Sequence, residues 1–435
     1  MRKTKIMITL GPSTNDYDVM REALNIANIV RLNFSHGDHR EHRERLKTVR
    51  EIEEEIEKPI TAVADLKGPE VRTSNKDDIE IKKDKIYDFD DIPFDNDVIS
   101  MMSEKDDIIL IDDGKLTMRV VKDKGSLKMK AMNDYTIKPK RGVIIRGKDI
   151  PLSSPTERDM EDLEYIKKAG FDAIAQSFVK TAEDIELVRE IVNDMPIIAK
   201  IESVSAVKHI ESIVKSSDGV MIARGDLALS IRPETVPRIQ RKIIKLCKEY
   251  RKPSIIATQM LDSMVKTPMP TRAEVSDVYN GVIEGADALM LSGETSKGDY
   301  PIEAIRMMDV IIREAEKEVK SEVISEGDFK DIMAKSAINI AHHFNVPIIA
   351  PTIHGTTPTK VSRLRPKIEI YSISPNKKIV KYMNMFYGIY PKEGVFEPVY
   401  KNFDVIKHRL KIKGKAVFIF GYPPGNHRTN NIIYI

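Results

Sequence analysis

Cysteine and tryptophan are almost absent from this sequence. It has one cysteine, Cys247, and no tryptophan among 435 residues. A single cysteine cannot form a disulfide within the chain, which is typical of proteins from a reducing compartment. No stretch approaches the roughly 18 apolar residues that a membrane-spanning helix needs, and the apolar run at residues 6–8 is too short for the core of a signal peptide. We therefore expect a cytoplasmic protein with no membrane partner.

A strong excess of one charge is also missing. Lysine and arginine number 70, aspartate and glutamate number 67, and the net charge is +3. With no basic tract, nothing predicts a nucleic-acid partner. Hydrophobic residues make up 41% and charged residues 31% of the chain, which predicts a folded protein rather than a disordered one. The length predicts about three domains.

Short apolar runs alternate with helical patterns along most of the chain. Each run has the length of a strand and is apolar on both faces, which is typical of parallel strands buried on both sides. The runs cover residues 5–10, 28–34, 60–66, 172–179, 196–202, 219–226, 254–260 and 288–294. Amphipathic helices are predicted between them, for example at 184–193 and 271–285. Eight strand–helix units predict a (β/α)₈ (TIM) barrel within the α/β class.

Two segments interrupt this alternation. Residues 70–146 have short alternating strands and turn signals, which predict a small β-rich domain inserted after the third barrel strand. A new α/β set starts at about residue 325, with predicted strands at 346–351, 368–373, 415–420 and 432–435. The predicted domains are a barrel (1–69 and 147–324), the insert (70–146) and a C-terminal α/β domain (325–435).

Charged residues end several of the apolar runs, where a barrel has its active site. Lys200 and Glu202 project to one side of the fifth strand, and Asp226 ends the sixth. Alone, a Lys-x-Glu is usually a surface ion pair, but charge that ends a buried run is costly unless it is paired or bound to a metal. Two carboxylates suit Mg²⁺, and a lysine suits a phosphate or enolate oxygen. The residues predict magnesium-dependent chemistry on a small anionic, phosphorylated substrate and leave the reaction open.

Longer motifs narrow this prediction. The chain resembles pyruvate kinase from end to end in motifs that come in the order of that family. They include Thr9-Leu-Gly-Pro-Ser, Arg31-Leu-Asn-Phe-Ser-His-Gly37, Lys67-Gly-Pro-Glu-Val-Arg-Thr73, Ile197-Ile-Ala-Lys-Ile-Glu202, Ala223-Arg-Gly-Asp-Leu227, Pro270-Thr-Arg-Ala-Glu-Val-Ser-Asp277 and Met290-Leu-Ser-Gly-Glu-Thr295. The resemblance implies that the insert is a small β-barrel that acts as a mobile lid, and that the C-terminal domain binds an effector and supports a homotetramer. On the helix predicted at 271–285, Arg272 is then an interface residue or a simple exposed arginine.

The resemblance also implies a reaction and its residues. Phosphoenolpyruvate would give its phosphoryl group to ADP, and the pyruvate enolate would then be protonated. The implied catalytic residues are Lys200, Arg31 and Thr258, with Thr258 on the route of the proton. The implied substrate-binding residues are these three together with Ser177, Gly225 and Asp226. The implied nucleotide-binding residues are Asn33, His36, Arg72, Asp113 in the lid and a basic residue at the lid's far edge, Arg141 or Lys140.

Two cation sites follow from the same resemblance. Glu202 and Asp226 would bind Mg²⁺ or Mn²⁺, and the implied K⁺ ligands are Asn33, Ser35, Asp65 and the carbonyl of Leu66. Leu66 departs from the threonine that K⁺-dependent members carry. Glu70 is retained, whereas K⁺-independent members have a lysine there, so we expect K⁺ dependence.

A loop in the C-terminal domain matches the family's effector site. Its hydroxyls and backbone N–H groups could hold the phosphate of a metabolite, and an ordinary turn is the alternative. The implied effector residues are Thr352, His354, Gly355, Thr356, Thr357 and Thr359. The loop at 422–428 would close over them.

Two other functions compete with this one. A lyase or aldolase barrel that handles phosphoenolpyruvate or pyruvate would share the Mg–carboxylate arrangement but lack the insert and the 31–37 motif. A non-catalytic descendant would have lost Lys200, Glu202 or Asp226, and all three are present.

Overall fold

The computed structural model describes residues 1–321, 328–395, 402–421 and 430–435. Within these residues the chain forms 21 strands. In chain order they are β1 (Lys5–Thr9), β2 (Ile29–Asn33), β3 (Thr61–Asp65), β4 (Val71–Arg72), β5 (Ile79–Ile81), β6 (Ile86–Tyr87), β7 (Ile108–Ile111), β8 (Leu116–Asp123), β9 (Ser126–Ala131), β10 (Tyr135–Ile137), β11 (Gly142–Ile145), β12 (Ala173–Gln176), β13 (Ile197–Ile201), β14 (Gly219–Ala223), β15 (Ser254–Ala257), β16 (Ala288–Leu291), β17 (Ile348–Pro351), β18 (Ile370–Ser374), β19 (Ile389–Glu393), β20 (Val417–Gly421) and β21 (Asn430–Tyr434).

Sixteen α-helices lie between these strands in the described ranges. They are α1 (Tyr17–Ile26), α2 (His39–Glu55), α3 (Val98–Met102), α4 (Glu157–Ala169), α5 (Ala182–Val192), α6 (Val204–Lys208), α7 (Ile210–Ser216), α8 (Arg224–Ser230), α9 (Val236–Tyr250), α10 (Arg272–Glu284), α11 (Gly293–Ser296), α12 (Pro301–Ala315), α13 (Phe329–Phe344), α14 (Thr356–Ser362), α15 (Lys377–Met383) and α16 (Phe403–Arg409). Of these helices, none is long and apolar enough to cross a membrane.

Eight parallel strands close into the predicted barrel. Their order around the ring is β1-β16-β15-β14-β13-β12-β3-β2. Every residue of β1, β3, β13 and β14 is buried, because one face fills the barrel and the other packs against helices. The strands predicted at 219–226, 254–260 and 288–294 extend three residues beyond the carboxyl ends of the observed strands. β14 ends at Ala223, β15 at Ala257 and β16 at Leu291, since the polar residues that follow form turns and short helices.

Helix α10 shows how local sequence sets an element's limits. The Thr271 hydroxyl oxygen accepts a hydrogen bond from the backbone N–H of Glu274, and the Glu274 carboxylate accepts one from the backbone N–H of Thr271, which is the capping box that starts many helices. Gly285 ends the helix with φ of +92°, a left-handed conformation that glycine adopts without strain. The helix predicted at 271–285 is confirmed.

The insert has its own hydrophobic core and its own sheets. Six strands form an antiparallel sheet in the order β4-β11-β7-β8-β9-β6, and β10 pairs with β5 in a second sheet. The predicted β-rich domain is confirmed, and its eight strands lie in these two sheets. The core residues include Ile109, Met118 and Val143.

The C-terminal domain is a five-stranded sheet in the order β19-β18-β17-β20-β21, with β21 antiparallel. Sequence patterns predicted four of these strands and missed β19, because Pro391 lies within it and proline is unfavourable in a sheet interior. β19 is an edge strand, where proline is tolerated. The predicted boundary at residue 325 lies outside the described residues.

This domain covers the amino end of the barrel. Asn384 donates to the carbonyls of Asn28 and Pro59, just before β2 and β3. Met385 is fully buried among the side chains that fill the barrel interior. Arg365 forms a buried ion pair with Asp287 at 3.0 Å, just before β16. The carboxyl end of the barrel is therefore left for the site.

Candidate active site

Lys200 lies at the centre of a buried charge cluster at the carboxyl end of the barrel. Its Nζ is 3.0 Å from Glu202 Oε1 and 3.1 Å from Asp65 Oδ1, and it donates to Ser177 Oγ at 2.6 Å. Burial disfavours the charged lysine, but the Asp65 and Glu202 carboxylates outweigh it, so the pKa of Lys200 lies above its ordinary value. The ammonium is therefore a fixed positive charge.

Asp65 joins this lysine to an arginine on the next strand. Its Oδ2 is 2.5 Å from Arg31 Nε, and Arg31 Nη1 donates to Thr9 Oγ1 at 3.2 Å. Burial raises the pKa of Asp65, but the charges of Arg31 and Lys200 prevail and hold it below its ordinary value. One ionised carboxylate thus orients both cations, as expected for groups that neutralise a phosphoryl group.

Asp226 supplies a second acidic group beside Glu202. It lies in the first turn of α8, directly after β14, and β14 pairs with the strand that precedes Glu202. Burial and the Glu202 carboxylate raise the pKa of Asp226. Two carboxylates that repel each other in a buried site favour a cation between them. Arg224 to Asp226 were predicted to end a strand, and instead they begin a helix.

The Glu202 and Asp226 pair fits a magnesium ion. In the described part of the chain, no group of three His, Cys, Asp or Glu side chains is arranged as a complete metal site. Magnesium needs only one or two protein carboxylates, because water and substrate phosphate oxygens complete its six ligands. The hard carboxylate oxygens of this pair therefore suit Mg²⁺ or Mn²⁺.

The predicted K⁺ ligands lie together at the ends of β2 and β3. Asn33 pairs in register with Asp65, and Asn33 Oδ1 accepts the backbone N–H of Ser35 at 3.1 Å. Ser35 lies in the turn after β2 and not on the strand. The Leu66 carbonyl accepts Ser177 Oγ–H at 2.6 Å. A set made only of oxygen donors, one of them ionised, fits an alkali cation.

Thr258 begins a strained turn after β15. Its φ is +70° and that of Gln259 is +53°, an uncommon conformation for residues other than glycine. Thr258 Oγ1 accepts the N–H of Gly225 at 2.8 Å and donates to the Ala257 carbonyl at 2.6 Å. A side chain at Gly225 would put its Cβ 3.3 Å from Thr258 Oγ1. The absence of that side chain lets this hydroxyl lie against the first turn of α8.

The tip of the lid lies near the barrel site. Asp112, Asp113 and Gly114 all have positive φ, and a Cβ on Gly114 would lie 3.1 Å from Leu229 of α8. The Asp113 carboxylate is near enough to Asp226 to contribute to the raised pKa of that group. Arg141 Nη1 is 3.5 Å from Asp112 Oδ1. The structure thus brings the predicted lid residue Asp113 to the barrel mouth.

The other predicted nucleotide-binding residues lie where the barrel meets the lid. Arg72 Nη2 is 2.6 Å from Glu70 Oε2, so its guanidinium is already paired. Burial lowers the pKa of His36, and the nearby charges of Arg72 and Arg31 add to this effect. These surroundings therefore favour the neutral form of His36. A cavity of about 680 Å³ on the same side of the barrel is lined by residues that include Pro12, Asp38 and Glu41.

The predicted effector loop follows β17 as expected, but its basic neighbours are occupied. Gly355 N–H donates to Thr352 Oγ1 at 2.9 Å, and Thr359 Oγ1 donates to the Gly355 carbonyl at 2.9 Å. Lys360 Nζ and Arg363 Nη2 each lie 2.9 Å from Asp331 Oδ1 on α13. The loop predicted to close over this site, 422–428, lies outside the described residues.

Three side chains at the site were not singled out from the sequence. Asp112 accepts a very short hydrogen bond from Tyr135 in the lid. Asp277 on α10 forms an ion pair with Arg224 at 2.6 Å. Glu294 is buried after β16. Each of the three lies in or beside a sequence motif or a turn. Its hydrogen-bond or ion-pair partner is distant in the sequence or depends on the folded backbone, so the sequence pattern did not reveal it.

Charges are costly to bury even when they are paired, so a cluster of them at the open end of a parallel barrel indicates a site for a charged ligand. Fold and site together therefore define a (β/α)₈-barrel enzyme for a small anionic substrate. Two family models match the chain, "Pyruvate kinase, barrel domain" over residues 1–305 and "Pyruvate kinase, alpha/beta domain" over residues 331–435. The chain belongs to the pyruvate kinase family, which are phosphotransferases that make pyruvate and ATP from phosphoenolpyruvate and ADP in the last step of glycolysis.

Curated relatives agree with this assignment. Pyruvate kinase of Agrobacterium vitis is 38% identical over 412 residues, which cover 89% of this chain and 85% of that protein. Pyruvate kinase of Clostridium perfringens is 38% identical over 90% of this chain and 89% of that protein. For Thermotoga maritima pyruvate kinase, identity is 33% and coverage is 100% of this chain and 99% of that protein.

Proposed function

We propose that this chain transfers the phosphoryl group of phosphoenolpyruvate to ADP at the carboxyl end of its barrel, and that the pyruvate enolate is protonated in the same place. The observation that supports this site most strongly is the buried Lys200 ammonium between Asp65 and Glu202, 3.1 Å and 3.0 Å away. Phosphoryl transfer depends mainly on positioning and on charge stabilisation, and this cluster offers both.

In the proposed mechanism, Lys200 and Arg31 bind the transferring phosphoryl group. Asp65 holds both cations in place, so little reorganisation is needed when charge spreads over the phosphoryl oxygens. Glu202 and Asp226 hold the divalent ion, which supplies additional positive charge to the carboxylate and phosphate of the substrate. Gly225 and Asp226 at the start of α8 are proposed to contact the same anion, and Gly225 N–H would exchange its bond to Thr258 Oγ1 for that contact.

The nucleotide is proposed to bind between the barrel and the lid. His36, Arg72 and Arg141 contact its phosphates, Asn33 lies beside them, and Asp113 closes over the site from the lid. On the barrel side, the cavity of about 680 Å³ lined by Pro12, Asp38 and Glu41 would take the nucleoside. Arg72 would exchange its pairing with Glu70 for the nucleotide phosphates.

Protonation of the enolate is proposed to occur on the side of Thr258. Its hydroxyl is held by Gly225 N–H and Ala257 carbonyl, and a threonine hydroxyl is a poor acid. We therefore assign Thr258 the task of orienting a water molecule that delivers the proton, rather than that of the acid itself. Ser177 binds the substrate indirectly, since its hydroxyl donates to Leu66 and accepts from Lys200.

We also propose K⁺ dependence. Asn33, Ser35, Asp65 and the Leu66 carbonyl supply only oxygens, and Glu70 does not provide the internal positive charge that a lysine would. Activity should be low in a buffer free of K⁺ and Na⁺ and should be restored by adding KCl. Full activity without any monovalent cation would contradict the proposal.

The remaining proposals concern regulation and assembly. A phosphorylated metabolite binds at the loop after β17. The protein is cytoplasmic and forms a homotetramer. Its domains are the barrel (1–69 and 147–324), the insert (70–146) and the C-terminal domain (325–435). A titration with sugar phosphates and nucleoside monophosphates should shift the KM for phosphoenolpyruvate with at least one of them. No shift with any compound would count against the effector site.

The reaction itself is tested by a coupled assay for pyruvate from phosphoenolpyruvate. Pyruvate formation should require ADP and Mg²⁺ and should be matched by ATP. Pyruvate that forms without ADP would favour a lyase or hydrolase instead. Absence of pyruvate under all conditions would favour a non-catalytic descendant.

A further inference from the structure

Glu294 is a buried carboxylate that the proposed mechanism does not use. It is 2% exposed and lies in α11, the short helix after β16. Its oxygens accept backbone N–H groups, with Leu261 N 3.1 Å from Oε1 and Ser292 N 2.7 Å from Oε2. Within the described ranges, no lysine, arginine or histidine lies within ion-pair distance of it. A buried carboxylate that is costly to desolvate and has no cationic partner requires a structural or functional reason.

The two N–H groups belong to two different loops of the active site. Ser292 follows β16, and Leu261 ends the turn that Thr258 begins after β15. In that turn, Thr258 and Gln259 both have left-handed backbone conformations. Such residues persist only where the surrounding structure holds them. At the start of the turn, Arg224 Nη2 donates to the Thr258 carbonyl at 2.9 Å.

The far end of the turn has a different support. Leu261 is fully buried, so its N–H cannot form a hydrogen bond with solvent when the carboxylate is removed. Glu294 is thus the group that fixes the end of the turn to the loop on the neighbouring strand. Without this carboxylate, one of the contacts that hold Thr258 and Gln259 in their left-handed conformations is lost, and the turn can move to a less strained conformation.

We propose that Glu294 is a positioning residue for Thr258, and that it acts by tying the Thr258–Leu261 turn to the loop after β16. This inference rests on the proposed role of Thr258 in enolate protonation. It predicts that loss of the carboxylate slows proton transfer more than phosphoryl transfer, because Lys200 forms its hydrogen bond and ion pairs with Ser177, Asp65 and Glu202, outside this turn.

The test compares two side-chain carboxylates that hold backbone N–H groups. Glu294→Gln keeps the size but puts an NH₂ group where a backbone N–H needs an acceptor. Asp184→Asn is the matched control, since Asp184 Oδ2 accepts the N–H of Lys180 at 2.7 Å and of Thr181 at 3.0 Å, at the start of α5 and outside the site. Glu294→Asp is a second variant in case the first does not fold.

Two activities are measured with the Mg²⁺- and K⁺-loaded protein. Exchange of the methyl protons of pyruvate with D₂O reports proton transfer, and ATP formed in a single turnover reports phosphoryl transfer. We expect Glu294→Gln to lower proton exchange about tenfold more than ATP formation, with the KM for phosphoenolpyruvate unchanged. Equal losses in both activities, or losses of the same pattern in Asp184→Asn, would overturn the proposal.

Amide hydrogen exchange tests the positioning without any activity. In Glu294→Gln the peptides that contain Leu261 and Ser292 should exchange about tenfold faster, whereas Asp184→Asn should leave them unchanged. Unchanged exchange in Glu294→Gln would overturn the proposal. If the unmodified protein makes no ATP, the proposed function fails, and amide exchange still decides whether Glu294 holds the turn.

Discussion

Two lysines are buried at opposite ends of the same barrel, and their surroundings give them opposite properties. At the carboxyl end, Lys200 lies 3.0 Å from Glu202 and 3.1 Å from Asp65, and its pKa is above the ordinary value. At the amino end, Lys5 is 1% exposed and donates to the Ile389 carbonyl at 2.5 Å. There, burial lowers the pKa of Lys5 to about 7.

The difference lies in the carboxylates and not in the degree of burial. No carboxylate lies within 4 Å of Lys5 Nζ in the described structure, whereas Lys200 has two. A charge can be kept in a desolvated place only when opposite charges are supplied with it. At the carboxyl end that arrangement keeps the Lys200 ammonium charged within the candidate site, while at the amino end Lys5 donates a hydrogen bond to the C-terminal domain.

The largest expected effect separates the two ends by activity. Lys200→Met should lower kcat by about a thousandfold, because the charge that faces the phosphoryl group is lost. Lys5→Met makes the same chemical change at the other end and should leave kcat unchanged. The coupled pyruvate assay measures both, and circular dichroism checks that both variants fold.

A small effect of Lys200→Met would remove its proposed role. An equally large loss in Lys5→Met would mean that the amino end contributes to catalysis, and the comparison would then fail.

A second prediction concerns the carboxylates that keep Lys200 charged. Glu202→Gln should raise the Mg²⁺ concentration for half-maximal activity at least about tenfold, because one of two metal-binding carboxylates becomes neutral. Glu211→Gln, at an exposed glutamate on α7, is the control. Direct Mn²⁺ binding, followed by electron paramagnetic resonance, should weaken in the first variant alone. Unchanged Mn²⁺ affinity in Glu202→Gln would contradict the metal assignment.

The smallest effect concerns stability at the amino end. The pKa of Lys5 is about 7 in the folded chain and near 10.4 when unfolded, so between these values the unfolded chain binds the extra proton. The free energy of unfolding should therefore rise with pH in this window, by at most about 1.4 kcal/mol per pH unit for one lysine. Arg2 lowers this pKa further, while Glu316 and Asp287 oppose the shift.

Urea unfolding at pH 7, 8 and 9 measures this slope. Lys5→Met should reduce it, and the part that remains is expected from Lys58, whose pKa burial also lowers to about 7. Identical slopes in the two proteins would show that Lys5 keeps its proton in the fold.

The sequence was sufficient to predict the barrel and the placement of Lys200 beside Glu202 in the candidate site. Eight apolar runs predicted eight strands because parallel strands bury both faces, and the spacing of Lys200 and Glu202 put both on one side of the chain at the end of β13. The local sequence pattern could not show at which residue each barrel strand ends and the following turn begins. Thr258 and Gln259 adopt left-handed conformations although neither is glycine or asparagine, and only tertiary contacts hold them there.

Charge pairing across long separations was equally hidden. Lys360 and Arg363 follow the predicted phosphate loop, but both form ion pairs with Asp331 on α13, and Lys360 also pairs with Asp328. In the same way, the partner of Arg224 is Asp277, 53 residues further along the chain. Composition gives the number of charges, and only the packing of helices decides which of them remain available.

The position of Met385 at the amino end of the barrel has a consequence for how the protein folds. A side chain from the last third of the chain occupies the inner core of a unit whose strands begin at residue 5. During synthesis, that core stays incomplete until the ribosome has made the segment that fills it. The barrel should therefore reach its final packing only after the C-terminal domain has been made.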